Sequence, residues 1–296
     1  MQVENFLKYL RYELNYSVHT VLSYSNDLKQ FAEFLSPDSC DFDEAMVDVA
    51  DVRSWVLSLS KSGMAVRTVR RKVQALRAYY KFLQKRGIVE RTPVDDIPMA
   101  KIPAVLPVFV REKKMDTVLD SEFDHGSFES VRNRLIVEML YETGIRRAEL
   151  ISLKNVDVDT QTCELKVHGK RNKDRIVPFG DELRDMIILY RRLRNEVGAE
   201  MPEFFITEKG KKVYPTLVYK VVTGTLSAVT QAKRSPHILR HSFASAMLNN
   251  GADINNVKEL LGHESLAATQ IYTHVTYREL KQNYEHAHPR ALKKGG

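Results

Sequence analysis

Apolar residues recur at helical spacing through the first ninety positions of the chain. After Ser17, a candidate N-cap, positions 18, 21, 22, 28, 31 and 35 are apolar and predict a helix. The same periodicity predicts helices over 49–61 and about 66–86, each with a glycine close after its end. The N-terminal region is therefore predicted to be a helical bundle.

The predicted helix over 66–86 has two unlike faces. One carries an apolar stripe at positions 69, 73, 76, 80 and 83. The opposite face is basic and spans about 80° of arc at ~100° per residue. Its residues are Arg67, Arg70, Gln74, Arg77, Lys81 and Lys85. A basic face without interleaved acids suits a DNA backbone, whereas the ordinary alternative is a solvated helix surface.

Four prolines then recur, at positions 93, 98, 103 and 107. This density disfavours helix and favours an extended linker. The predicted organisation is a helical domain over 1–92, a linker over 93–107 and a second domain over 108–296.

The second domain is predicted to be mostly helical around a small sheet. Short alternating runs over 156–159, 163–168 and 175–179 predict three antiparallel strands, the last two joined by the polar loop 169–174. Helices are predicted over 111–119, 128–142, 181–197, 216–229, 239–249, 254–261, 266–274 and 277–286. The fold class is therefore mainly α with a small antiparallel sheet.

The composition is that of a soluble, basic protein. Lys and Arg total 45 against 38 acidic residues, giving a net charge of +7, which suits a polyanionic partner but also an ordinary basic protein. Cys40 and Cys163 fit no metal-binding spacing and are predicted to be free thiols. Without a signal-peptide pattern or a long apolar run, we expect a cytoplasmic protein with no membrane span.

Three short motifs carry the candidate chemistry. They are Thr-Gly-Ile-Arg-Arg-Ala-Glu-Leu at 143–150, His-Ile-Leu-Arg-His at 237–241, and Leu-Gly-His at 261–263 with Tyr272 nine residues later. Phosphodiester cleavage without a metal needs guanidinium groups on the phosphate, a nucleophile and a proton donor. Singly, each motif has a structural alternative: an arginine that caps a helix, a polar surface patch, or a core tyrosine.

Together and in this order, the motifs resemble the signature of the tyrosine recombinase and phage integrase family, of the Xer type. The N-terminal pattern from Ser17 to Leu35 resembles the helical core-binding domain of Xer recombinases, and the ending His-Ala-His-Pro-Arg-Ala at 286–291 is similarly Xer-like. The resemblance implies a helical core-binding domain and an α+β catalytic domain that clamp DNA from opposite sides.

The resemblance also implies a catalytic set. The implied residues are Arg146 and Arg240 as phosphate clamps, Lys170 as general acid, His237 as proton-transfer partner, His263 as a further phosphate contact and Tyr272 as nucleophile. Neither cofactor nor metal is implied. Arg171 stands where the family often has glycine, which leaves Lys173 as a rival to Lys170. Glu149, three residues after Arg146, could orient a catalytic side chain.

The implied reaction is site-specific recombination of double-stranded DNA through a 3′-phosphotyrosyl intermediate, as in Xer resolution of chromosome or plasmid dimers. The implied assembly is a homo- or hetero-tetramer on two sites, with a DNA translocase as a candidate activator. Its C-terminal helices would dock on neighbouring protomers, or else each on its own domain. Three alternatives stay open: a type IB topoisomerase, an integrase or invertase of a mobile element, and a non-enzymatic DNA-binding protein.

Overall fold

The computed structural model describes residues 2–38, 42–98, 109–169, 174–198, 200–232, 234–262 and 277–291, with side chains from 281 onward in the last range. The chain divides into two compact units, Met1–Val105 and Leu106–Gly296. Most of the predicted linker lies outside the described residues, so its boundaries stay a prediction.

The N-terminal unit is a helical bundle, as the periodicity predicted. Its elements are α1 (Val3–Lys8), a π-helical turn (Tyr9–Glu13), α2 (Val18–Leu35), α3 (Val49–Lys61) and α4 (Val66–Lys85). Ser17 caps α2 by accepting a hydrogen bond from the Thr20 N–H. Asp48 and Asp51 form a capping box at the start of α3. The core between the helices is aromatic and includes Phe6, Phe31, Trp55, Tyr79 and Tyr80.

The predicted basic face of α4 lies on the surface of this unit. Arg67, Gln74, Lys81 and Lys85 are exposed, while Arg70 and Arg77 are half-buried. The two basic residues outside that face, Arg71 and Lys72, point to the buried carboxylate of Asp27. The basic residues of α4 are thus divided between an ion cluster at the buried Asp27 and an outward face.

The second unit is helical around one small sheet. Its elements are α5 (Glu112–Leu119), α6 (Phe128–Thr143), α7 (Arg147–Ser152), a 3-10 turn (Asn155–Asp157), β1 (Val158–Asp159), β2 (Glu164–His168), β3 (Asp174–Pro178), α8 (Asp181–Glu196), α9 (Pro215–Ser227), α10 (Pro236–Asn249), α11 (Ile254–Leu261) and α12 (Tyr277–Ala287). The three strands pair antiparallel in the order β1-β2-β3, with Leu165 opposite Val177. The predicted fold class is therefore confirmed.

Two details of the prediction were wrong. The first strand begins at Val158 and not at 156, because Asn155–Asp157 forms the 3-10 turn. The short helix α7 was not predicted, since six residues contain too few helical turns for an apolar period to show. The predicted helix over 266–274 lies outside the described residues.

The long helix α6 is the centre of the second unit. It packs against α8, α9 and α10, and its residues are buried on every side along its second half. The helix ends at Gly144, which adopts the left-handed conformation with φ of 61°. The chain therefore turns sharply just before Arg146.

The C-terminal segment packs on its own unit. Tyr284 and Ala287 of α12 are buried in a cluster with Phe243 and Met247 of α10 and Leu260 of α11. This is the alternative to docking on a neighbour that the sequence left open. In the part of the chain described here, no helix is both long and apolar enough to cross a membrane.

Candidate active site

The structure describes three of the six predicted catalytic residues. Arg146, His237 and Arg240 lie in the second unit. The other three, Lys170, His263 and Tyr272, lie outside the described residues, as does the rival Lys173. Their roles stay predictions.

Arg146 is fixed at the entrance to α7. Its backbone N–H donates to Oε2 of Glu149 at 2.7 Å, and its side-chain Nη1 donates to Oε1 of the same carboxylate at 2.8 Å. Glu149 thus contacts one of the predicted catalytic side chains, and its role in orienting that side chain stays a prediction. Glu149 is 7% exposed, so the carboxylate of this charge-assisted pair is largely shielded from water, whereas the Arg146 side chain is 30% exposed.

Arg240 lies in α10 and is buried, with 7% of its surface exposed. It donates to the carbonyl oxygen of Gly144 at 2.7 Å and to that of Leu261 at 2.5 Å. Burial, and then the nearby positive charge of Arg146, lower the pKa of Arg240 to about 10. The guanidinium therefore stays protonated at neutral pH.

The two arginines meet at the end of α11. Arg146 Nη2 donates to the Gly262 carbonyl at 2.8 Å, and Arg240 binds the carbonyl one residue earlier. Because the last carbonyls of a helix lack partners within the helix and carry partial negative charge, cations are stabilised there. Both arginines therefore do cap a helix end, which was the structural alternative for a single arginine. The same contacts also bring the two guanidiniums to one place, where they are suited to bind an anion.

His237 lies in the first turn of α10, one turn before Arg240. Residues three apart lie on the same face of a helix, and the His237 side chain is exposed. The imidazole is therefore exposed to solvent, one helical turn from Arg240.

Arg175 is a member of this cluster that the sequence did not identify. It lies in β3 and donates to both oxygens of Glu149, at 3.1 and 2.9 Å, and to the carbonyl of Leu260 at 2.7 Å. Burial raises the pKa of Glu149, but the hydrogen bonds and charge of Arg175, followed by those of Arg146, outweigh it and lower that pKa overall. Its only sequence signal was a charged residue inside a short strand.

The arrangement is a cationic site suited to a phosphate. Each guanidinium has five N–H donors, and the hydrogen bonds above use two each on Arg146 and Arg240. Within the ranges described, no three His, Cys, Asp or Glu side chains lie close enough to hold a metal ion together.

Comparisons with known proteins identify the family. The phage integrase family matches residues 109–279, and its N-terminal SAM-like domain matches residues 3–87. The chain is 37% identical to the tyrosine recombinase XerC of Chlorobaculum tepidum, over 97% of this chain and 94% of the other. It is 36% identical to XerC of Listeria welshimeri serovar 6b, over 97% of each.

Solved structures agree on the fold. The XerH site-specific recombinase in a post-cleavage complex with a palindromic difH substrate has a TM-score of 0.70 at 22% identity, over 96% of this chain and 83% of that one. The Tn1549 transposon integrase with transposon right-end DNA has a TM-score of 0.68 at 19% identity, over 96% and 98%. From the family match and these relatives, the chain belongs to the phage integrase family and is a tyrosine recombinase of the Xer type.

Proposed function

We propose that this recombinase cuts DNA by attack of the Tyr272 hydroxyl oxygen on a backbone phosphorus. The bond from phosphorus to the 5′ oxygen breaks, that oxygen takes a proton, and the phosphate stays joined to the DNA 3′ oxygen and to Tyr272. A 5′ hydroxyl of another strand then attacks the phosphotyrosyl bond, and Tyr272 regains its proton. Because the ester bond is conserved throughout, neither a nucleotide nor a metal ion is required.

The observation that supports this proposal most is the pairing of Arg146 and Arg240 on adjacent carbonyls at the end of α11. Two guanidiniums at one place can bind the non-bridging oxygens of a phosphate and stabilise the charge that develops there. In the sequence, the same end of α11 leads directly to His263 and then to Tyr272. The proposed clamp and the proposed nucleophile are thereby linked through the chain.

The remaining roles follow the family. Lys170 is proposed to protonate the leaving 5′ oxygen, with Lys173 as its rival. His237 is proposed as the proton-transfer partner of the reaction, which its exposed position beside Arg240 on α10 supports. His263 is proposed as a further phosphate contact.

The proposed partners are double-stranded DNA and other recombinase protomers. The outward basic face of α4 supports contact with phosphates by the N-terminal domain. We propose a homo- or hetero-tetramer on two sites in the cytoplasm, with a DNA translocase as candidate activator. The proposed task is Xer-like resolution of chromosome or plasmid dimers, and a mobile-element integrase or invertase is the second candidate.

A nicked suicide substrate tests the proposed chemistry. The nick lies just to the 3′ side of the cleavage point, so that the short released strand diffuses away and the covalent complex accumulates. We expect the wild-type protein to trap 3′-linked DNA in the presence of EDTA, and Tyr272→Phe to bind the same DNA without trapping it. A strict requirement for Mg²⁺, or trapping by Tyr272→Phe, would contradict the mechanism.

The suicide substrate, together with closed circular supercoiled DNA that carries one or two intact sites, separates the alternatives. A non-enzymatic DNA-binding protein traps nothing. A type IB topoisomerase traps and relaxes DNA that carries one site, whereas a recombinase exchanges strands only between two sites.

A further inference from the structure

Arg175 joins three parts of the second unit through one side chain. Its backbone belongs to β3, its Nη1 and Nη2 hold both oxygens of Glu149 in α7, and its Nε holds the Leu260 carbonyl in α11. The side chain is 13% exposed. A planar guanidinium can satisfy all of these partners at once, which the single ammonium of a lysine cannot do.

The end of α11 is held by three arginines on three consecutive carbonyls. Arg175 binds Leu260, Arg240 binds Leu261 and Arg146 binds Gly262. Arg175 is the one of the three without a proposed contact to DNA. Its place in this row therefore needs an explanation other than binding phosphate.

Glu149 connects Arg175 to the proposed clamp. Oε1 of Glu149 accepts from Nη1 of both Arg146 and Arg175, and Oε2 accepts from the Arg146 backbone N–H and from Nη2 of Arg175. A carboxylate with both oxygens bound on two sides cannot rotate without breaking these hydrogen bonds. The bidentate contact with Arg175 thus sets the direction in which Glu149 presents its oxygen to Arg146.

The backbone at Gly262 fits closely over Arg175. Gly262 has φ of 62°, and a Cβ added there would lie 3.2 Å from Arg175 Nη1. The turn that follows α11 is therefore built against the guanidinium, one residue before His263.

We infer that Arg175 is a positioning residue for strand cleavage: it aims Arg146 through Glu149 and fixes the end of α11 from which the chain runs to Tyr272. This inference deepens the proposed function and rests on it. The described contacts of Arg175 are with Glu149 and the Leu260 carbonyl, and the inference is that it acts through these neighbours. Its removal should leave DNA binding intact and slow the chemical step.

Arg134 offers a matched control. It is 8% exposed, ion-pairs with the buried Glu138 at 2.9 Å and donates to the carbonyl of Val118 near the end of α5. Both Arg134→Gln and Arg175→Gln therefore remove a buried arginine that binds one carboxylate and one carbonyl near a helix end. Only Arg175 contacts the carboxylate that holds Arg146. Any loss caused only by lower stability should appear in both variants.

The experiment compares full-length wild type, Arg175→Gln, Arg175→Lys and Arg134→Gln. For each, thermal unfolding, DNA affinity and the first-order rate of covalent trapping at saturating protein are measured on the nicked substrate. We expect Arg175→Gln to trap roughly a hundredfold more slowly, as a misplacement of about 1 Å can do. Its DNA affinity should be unchanged, and Arg134→Gln should trap at the wild-type rate. Arg175→Lys, which keeps the charge but not the fork, should fold and give an intermediate rate.

Three results would overturn the inference while leaving the proposed function standing. The first is that DNA-bound Arg175→Gln traps at the wild-type rate. The second is that its trapping rate falls only in proportion to its lower stability, with the same fall in Arg134→Gln. The third is that Arg175→Lys traps at the wild-type rate. Absence of trapping by the wild-type protein would instead reject the proposed function, and this inference with it.

Discussion

Arg240 is a charged side chain that the protein buries and still keeps charged. Its two carbonyl partners, on Gly144 and Leu261, replace the hydrogen bonds lost from water, and its lowered pKa of about 10 remains above neutral. Both carbonyl partners belong to the protein itself, so Arg240 is charged and held in place before DNA binds. The general acid, by contrast, has two candidates in Lys170 and Lys173.

A substrate with a 5′-thio leaving group should distinguish the two lysines. A thiolate departs without a proton, so a variant that lacks the general acid should cleave this substrate nearly as well as the wild type does. We expect Lys170→Ala to be slow on ordinary DNA and restored on thio-DNA, as measured by trapping rates, and Lys173→Ala to show no such restoration. If Lys170→Ala is equally slow on both substrates and Lys173→Ala is restored, the acid is Lys173.

At the scale of elements, the junction of α6 and α7 connects the core to the clamp. A Cβ on Gly144 would meet Phe243 Cδ1 at 2.5 Å and Leu261 Cδ2 at 2.8 Å, and φ there is +61°. Gly198 also has positive φ, +69°, but nothing lies within 4 Å of its added Cβ. Both glycines thus adopt the left-handed backbone conformation, and only Gly144 is closely packed.

We expect Gly144→Ala to destabilise the protein more than Gly198→Ala does. The left-handed backbone should cost roughly 1–2 kcal/mol in both variants, and the clash at Gly144 should add about 1–3 kcal/mol. Because Arg240 binds the Gly144 carbonyl, only Gly144→Ala should also slow trapping. Chemical denaturation and trapping rates check this, and equal losses in the two variants would show that the close packing at Gly144 is unimportant.

The sequence predicted the elements far better than the contacts between them. Apolar periodicity located α2, α3 and α11, because each of these helices buries one apolar face and exposes the opposite face. The clamp arginines were identified by resemblance, and their carbonyl partners were not, since Arg146 and Gly262 are far apart in sequence. Arg175 was overlooked because its partners belong to other elements, and no local pattern marks a residue that acts across the fold.

At the scale of the whole molecule, the end of the chain is anchored by charge. Arg290 lies among Asp120 at 2.8 Å, Glu142 at 3.4 Å and Glu182, with which it makes a close ion pair. Glu142 is fully buried. Burial, and then the neighbouring Glu138, raise the pKa of Glu142 well above its usual value, while Arg290 opposes the rise.

Arg290→Gln should therefore destabilise the protein in a pH-dependent manner. Without Arg290 the folded pKa of Glu142 rises further, so the folded variant retains a proton that the unfolded chain releases above about pH 4.3. The pKa of Glu142 is already raised in the wild-type fold, so wild type and variant bear the same cost until the pH passes the wild-type folded pKa. The extra loss in the variant appears above that pH and grows until its own folded pKa is reached. We expect a loss of roughly 3–5 kcal/mol at about pH 8 and a smaller one at about pH 5, from chemical denaturation.

Arg184→Gln is the control for this prediction. Arg184 pairs with Asp181 and Asp185 on the surface of α8, so its loss should change stability little at either pH. A loss in Arg290→Gln that is the same at both pH values would contradict the role of Glu142.

The central claim is that one tyrosine, Tyr272, carries the DNA. The most direct measurement is to trap the wild-type protein on the nicked substrate, digest the complex with protease and nuclease, and locate the attached nucleotide by mass spectrometry. We predict a single modified peptide, with a 3′-phosphate-linked nucleotide on the Tyr272 hydroxyl. A nucleotide on any other residue, or one linked through its 5′ phosphate, would contradict the account.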